Sequence, residues 1–255
     1  LIFPPTVGQL SGTNFLPAIL GFVVTGVGLP LAGIIAGSFS NEGFRTEARR
    51  IHPLFALLFM VTIYLTIGPF FAIPRTANVS FEMSILPFMN LEEGAEASQL
   101  QITLFAAVYF LIVFFLALNP KKLVNRIGQI LTPLLLITII ALIVRSFFLL
   151  KTPIEAIDPS YLDAPFFTGF FEGYQTMDTI AAVAFSIIVL NAVKATGLTG
   201  QRSIFKQASI AAVIAGLGLG WIYAALGWIG NHYVLGESSG NMGTAILNGV
   251  ALLTY

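Results

Sequence analysis

The sequence predicts an all-α integral membrane protein, and three observations carry that prediction. Of the 255 residues, 56% are hydrophobic and only 9% are charged, against roughly 25% charged in a soluble domain. The mean hydropathy is +0.89. The apolar residues fall in long runs that are apolar on every side, whereas a membrane β-barrel would show short alternating segments. Net charge is zero, so bulk charge points to neither nucleic acid nor an acidic partner. There is no cysteine, which excludes disulfides and thiol chemistry. Two histidines and scattered acids suggest no metal cluster.

Taken in order, residues 1–10 read as the end of a first span. Further spans follow over about 15–37, 54–74, 100–118, 128–150, 166–191 and 208–230, and 242–255 begins an eighth. A helix of about 23 residues is roughly 34 Å long, enough to cross a hydrocarbon core of about 30 Å. The third span stays apolar to residue 89 but contains Pro69, Pro74, Arg75 and Glu82. Proline removes a helical hydrogen bond, so the expectation is a long bent span, or a span plus an interfacial segment. Arg75 and Glu82 would share one helix face, either as a pair or as an interfacial arginine beside a solvated glutamate. Arg145, near the end of the fifth span, is expected to snorkel. In the seventh, "GLGLGW" reads as small-residue packing, with Trp221 and Trp228 against neighbouring helices. The chain starts without methionine at "LIFPPTVGQL" and stops at "NGVALLTY". Both ends read as cut.

Loop charges give the orientation. Arg45, Arg49 and Arg50 follow the second span, Lys121, Lys122 and Arg126 follow the fourth, and Lys194, Arg202 and Lys206 follow the sixth. The intervening loops are acidic or lack Lys and Arg, apart from one lysine. This alternation is the positive-inside pattern and supports the span count independently. It places the missing N-terminus in the cytoplasm and runs the sixth span inward.

That sixth span, "FFEGYQTMDTIAAVAFSII", carries Glu172, Tyr174, Gln175, Thr176, Asp178 and Thr179 inside an apolar run. On one continuous helix, at about 100° per residue, they would cover an arc of roughly 200°. A carboxylate at the bilayer centre costs at least ~2.5–3.5 kcal/mol. The segment must therefore face protein or water. Unwinding at Gly173 would free backbone groups that survive only beside a protein-enclosed or aqueous cavity. The outer half would then offer carbonyls to a cation or ammonium, and the inner half N–H groups to a carboxylate. Alternatively, Asp178 caps the inner half and Glu172 bonds a neighbouring span. "LIFPP" also interrupts a hydrophobic segment, five spans earlier. An odd number of spans per repeat inverts the second copy, and matching interruptions point to a transport site. The predicted organisation is a first inverted repeat over 1–150 and the start of a second over 151–255.

Three stretches together carry a resemblance: "LIFPPTVGQLSGTNFLPAILGFVVTGVGLPL", "YLTIGPFFAIPRTANVSFE" and "EGYQTMDTIAAVAF". They are similar to the branched-chain amino acid:cation symporter family (LIVCS, BrnQ type), of the amino acid–polyamine–cation superfamily. The resemblance runs over essentially the whole chain. It implies a LeuT-type inverted-repeat fold with broken first and sixth spans, in the inner membrane of a bacterium. Family members have about twelve spans, so this chain is expected to be a fragment truncated at both ends. It also implies import of leucine, isoleucine and valine, with Na+ or H+ as coupling ion and no other cofactor. Carried onto this sequence, the substrate residues are Gly173, Tyr174, Gln175, Thr176, Met177 and Asp178, with Ile2, Phe3, Pro4 and Pro5 past the first break. Tyr64 and Thr66 on the third span are implied more loosely. A sodium site between the first and eighth spans would be incomplete in this segment.

A branched-chain substrate needs dipoles for its zwitterion and an apolar pocket for its tail, with Met177, Phe3 and Phe185 as candidate walls. One methylene changes binding by only ~1–3 kcal/mol, so the three amino acids should be poorly distinguished. Two alternatives share the fold: a carrier for another small solute, and a membrane receptor that senses a ligand without moving it. An intramembrane enzyme is disfavoured, since no Ser/His pair, HExxH or facing aspartate pair is evident.

Overall fold

A computed structural model describes residues 2–39, 44–89, 98–118, 127–151, 153–154, 157–198, 200–233 and 241–254. Lys121, Lys122, Arg126 and most of the acidic loop after the third span lie outside these residues. Among the described residues all regular structure is helical, and six runs are long and apolar enough to cross a membrane.

Helix α1 (Phe3–Ser11) opens on Pro4 and Pro5; a missing N–H does no harm in a first turn, which has no acceptor for it. It ends at Gly12, whose φ of 49° and ψ of −124° suit only glycine. The second span is α2 (Phe15–Val23), a wide π turn over Val24–Gly28, and α3 (Leu29–Gly37). The basic helix α4 (Phe44–Ile51) leads into the third span through His52, whose ring accepts the N–H of Leu54 at 3.2 Å. That span is α5 (Pro53–Leu65), a wide turn over Thr66–Phe70, and α6 (Ala72–Ser84). Gly68, beside Pro69, is non-helical at φ −78° and ψ −115°, so the third span is one long bent unit. There follow α7 (Gln99–Ala117), α8 (Thr132–Leu149), α9 (Pro165–Tyr174), α10 (Asp178–Ala195), α11 (Gln201–His232) and α12 (Met242–Thr254). Helix α7 starts on a capping box between Ser98 and Gln101, which satisfies two otherwise orphaned N–H groups.

Glycine seams set the packing. Gly169 of α9 lies on Ala18, and Gly173 on Phe22 and Thr25. Beyond the next turn of chain, Ala182 lies on Gly33 and Ser186 on Gly37. The second span therefore runs parallel to α9 and α10. It runs antiparallel to α11, with Ile19 on Gly227, Phe22 on Tyr223 and Val27 on Gly216. Helix α1 crosses α11, with Gly8 against Gly227 and Pro5 against Gly230. Small residues bring backbones close, which is how helices gain dispersion energy in lipid. One core unites Val7, Ala18, Ile19, Phe22, Val27, Tyr161 and Tyr223. A second, between α11 and α12, holds Leu226, Ile229, Ile246, Leu247 and Val250. Helix α7 buries no residue against the rest of this chain, and leaves Leu104, Leu111, Phe114 and Phe115 exposed.

The helix ends sort by charge. At one end the Gln201 amide donates to Ser38 O (3.2 Å) and Phe39 O (3.0 Å), and Phe39 stacks on Phe205. This joins the basic segments that follow the second and sixth spans. At the other end Asn231 Nδ2 donates to Gly8 O (3.1 Å) and Gly12 O (2.8 Å). There too Ile154 N donates to Asn231 O and Asp158 N to Leu10 O. The acidic segment after α8 thus closes over the α1–α2 turn.

Candidate substrate site at the break in the sixth span

Helix α9 stops at Tyr174 and α10 begins at Asp178. Between them Met177 has φ 62° and ψ 9°, the left-handed region. It is the one positive-φ residue other than glycine among the described residues. The interruption falls two residues later than an unwinding at Gly173 would place it. Gly173 remains helical because packing recruits it: a Cβ there would strike Phe22 O and Thr25 Oγ1. Glycine here serves close approach rather than unwinding.

Helix α9, the first half of the broken span, is held by Thr25, which is buried and donates at 2.7 Å to Phe170 O. Thr25 lies in the π turn of the second span, a local widening often found at functional sites. Thr176 Oγ1 donates to Gly173 O at 2.8 Å. At the head of α10, Asp178 Oδ2 accepts a 3.0 Å hydrogen bond from the Tyr223 hydroxyl. A carboxylate in the first turn also sits at the positive end of the α10 dipole. Across the turn the Phe171, Gly173 and Tyr174 carbonyls accept the Gln175, Thr176 and Met177 N–H groups, and the Asp178 N–H lies 3.5 Å from Thr176 Oγ1, so the end of α9 and the start of α10 meet around Gln175–Met177.

The other expected residues distribute unevenly. Ile2, just before α1, and Pro4 and Pro5 in its first turn are buried. Phe3 packs against the core that contains Phe22 and Tyr223, so the start of α1 and the Asp178 partner share one cluster. Tyr174, Gln175 and Met177 are exposed. Phe185 is also exposed. Tyr64 is exposed and lines a separate cavity beside α10, and Thr66 is half-buried in the wide turn. Arg75 and Glu82 do not pair. The Arg75 guanidinium lies 4.5 Å above the Phe3 ring, while Glu82 accepts from Thr244 at 2.8 Å. Seven residues of helix separate them by about 10 Å, and each reaches a different neighbour. Trp228 packs on Phe147 and His232. Trp221, two turns earlier in the helix, is exposed instead, and no ring packs on it among the described residues.

Thr25 and Tyr223 were not legible as site residues. Each is a lone hydroxyl in an apolar span, and only the packing of the second and seventh spans brings it to the break. Their mid-span depth was the available signal.

The site so far is a carboxylate at an interrupted helix of a multi-pass helical bundle. The model of the family described as branched-chain amino acid transport protein matches residues 1–255, and this chain belongs to that family. A protein of Staphylococcus saprophyticus named as a candidate branched-chain amino acid carrier is 47% identical over 266 residues, covering 100% of this chain and 58% of its own. One so named in Staphylococcus haemolyticus is 48% identical, covering 91% of this chain and 52% of its own. A Staphylococcus aureus relative of the same name is 49% identical, covering 91% and 52%. The chain thus spans between half and three-fifths of the length of these relatives. No solved structure matches it.

Proposed function

We propose that the whole protein imports leucine, isoleucine and valine by alternating access, coupled to Na+ or H+, across a bacterial inner membrane. In this reading the basic end of the bundle faces the cytoplasm. The segment works as part of a longer LeuT-type chain whose substrate sits at Gln175–Met177, between the two half-helices and the start of α1. The carrying observation is the interruption itself, with Met177 left-handed and Asp178 held by Tyr223. The substrate carboxylate would meet the N–H groups of α10, and its ammonium the carbonyls ending α9 or the Asp178 carboxylate.

Radiolabelled leucine uptake into proteoliposomes of the whole protein tests this. Accumulation against a gradient, driven by Na+ or by a proton gradient, is expected. Binding of leucine without accumulation would overturn the carrier reading in favour of a receptor, and accumulation of another solute alone would overturn the substrate assignment.

A further inference from the structure

The second half of the third span meets α12 through one carboxyl group. Glu82 Oε2 lies 2.8 Å from Thr244 Oγ1, and Asn248 Nδ2 donates to Glu82 O at 2.9 Å. Thr244 Oγ1 also lies 2.7 Å from Asn241 O, three residues back in the chain. Thr244 is 2% exposed, so both contacts are made inside the protein. A threonine hydroxyl has a single proton to give. Given to Glu82, it leaves Thr244 Oγ1 and Asn241 O facing each other with no proton between them. Given to Asn241 O, it leaves Thr244 Oγ1 against an ionised Glu82 in the same way. Both contacts are satisfied when Glu82 is the acid, donating from Oε2 to Thr244 Oγ1 while Thr244 donates to Asn241 O. The 2.8 Å separation agrees: neutral O–H···O pairs lie at about 2.7–2.8 Å, and a hydroxyl on a carboxylate at about 2.5–2.7 Å.

This carboxyl joins two elements that bear on the break. On the α12 side, Gly243, next to Thr244, lies on Ile2 O, which also accepts from Thr6 Oγ1 at 3.1 Å. On the other side, α6 follows the non-helical Gly68. Glu82 thus ties a bent span to the start of α1. Among the described residues, the other titratable groups on α6 and the helices packed around it are Arg75, two turns earlier over the Phe3 ring, and Tyr109 on α7; α1 and α12 carry none. We infer that Glu82 is a proton-binding site, and that the proton it carries is the coupling ion. Water on the outer side protonates Glu82, which closes α6 on Thr244. When the proton passes to water on the inner side, the carboxylate left behind shares with Asn241 O the one proton of Thr244, and α6 is freed to turn at Gly68. The coupling rests on the carrier reading; the protonated clasp does not.

Two measurements on the whole protein test this. In mildly acidic detergent solution, where exposed carboxyls are ionised, the infrared band of a protonated carboxyl should be present in wild type and missing from Glu82→Gln. That band reads the acid without transport. In sodium-free proteoliposomes, a proton gradient should drive leucine accumulation by wild type. Glu82→Gln should lose that accumulation yet retain leucine counterflow, because its amide still donates to Thr244. Thr244→Val, which removes the acceptor and keeps the acid, should move uptake to a more acidic outer medium, and Thr244→Ser should not. Melting curves identify any variant that fails to fold. Superimposable infrared spectra, or proton-driven accumulation unchanged in Glu82→Gln, would overturn the assignment. The band without any leucine transport by wild type would overturn the coupling together with the carrier reading and leave the protonated clasp standing.

Discussion

The Tyr223 hydroxyl donates a 3.0 Å hydrogen bond to Asp178 Oδ2, tying the seventh span to the first residue of the inner half-helix. Tyr223 is buried and makes an edge contact with Phe22, whose neighbour Thr25 anchors the outer half at Phe170 O. One small network thus reaches both sides of the interruption. A hydrogen bond to a charged group contributes about 1.5–3 kcal/mol, enough to hold the carboxylate in one place. If the whole protein is the proposed carrier, Asp178→Asn in it should impair uptake with expression intact, and Tyr223→Phe should impair it less, since the carboxylate remains. Uptake kinetics of Asp178→Asn equal to wild type would remove Asp178 from the mechanism.

Gly173 is predicted to be intolerant of any side chain. Its Cβ would meet Phe22 O and Thr25 Oγ1, and overpacking of this kind costs about 1–3 kcal/mol. Gly173→Ala should lower Tm in detergent by several degrees. Gly218, with no atom near its Cβ position, is the control: Gly218→Ala should be neutral or stabilising, as alanine favours helix. Equal melting of the two variants would contradict the seam.

Met177 carries the strain of the break. A left-handed conformation costs an L-residue roughly 1–2 kcal/mol, and a β-branched one more. Met177→Gly should therefore melt no lower than wild type, and Met177→Val should melt clearly lower. The opposite order would mean that Met177 is not left-handed.

Tyr161, in the segment over the α1–α2 turn, is buried and its hydroxyl has no hydrogen-bond partner among the described residues. Burial, then the charges of Glu172 and Asp158, push its phenol above the usual value of 10.0. The fold holds the neutral form, so this stabilisation is complete below about pH 10 and is lost as pH rises from there toward the raised value. Tyr161→Phe should remove that alkaline loss and should be neutral or stabilising at pH 8, because it deletes an unpaired polar group. Melting curves at pH 8 and pH 10.5 check both outcomes.

The spans and the interrupted sixth helix were legible because their signals are one-dimensional. Runs of apolar residues, alternating loop charges, and two carboxylates in a hydrocarbon-like segment are all visible without packing. The bend of the third span was legible through Pro69. The position of the break was not. Gly173 invites unwinding when read alone, yet its absent Cβ is consumed by contact with the second span, and the chain turns at Met177 instead. Spacing put Arg75 and Glu82 on one face, but only α1 and α12 decide where each side chain goes. Thr25 and Tyr223 reach the site through helix–helix register, which no local pattern encodes.

In the proposed carrier the peptide around Gln175 faces the substrate. The chain has no cysteine, so once any cysteine elsewhere in the whole protein is replaced by serine, a single introduced one reports alone. Gln175→Cys in the whole carrier, labelled with a membrane-impermeant methanethiosulfonate, is the most direct measurement, with Leu104→Cys on the exposed face of α7 as control. Gln175→Cys should label, and leucine, but not lysine, should slow the labelling severalfold. Labelling at Gln175→Cys that leucine leaves unchanged, in protein that still transports leucine, would contradict it.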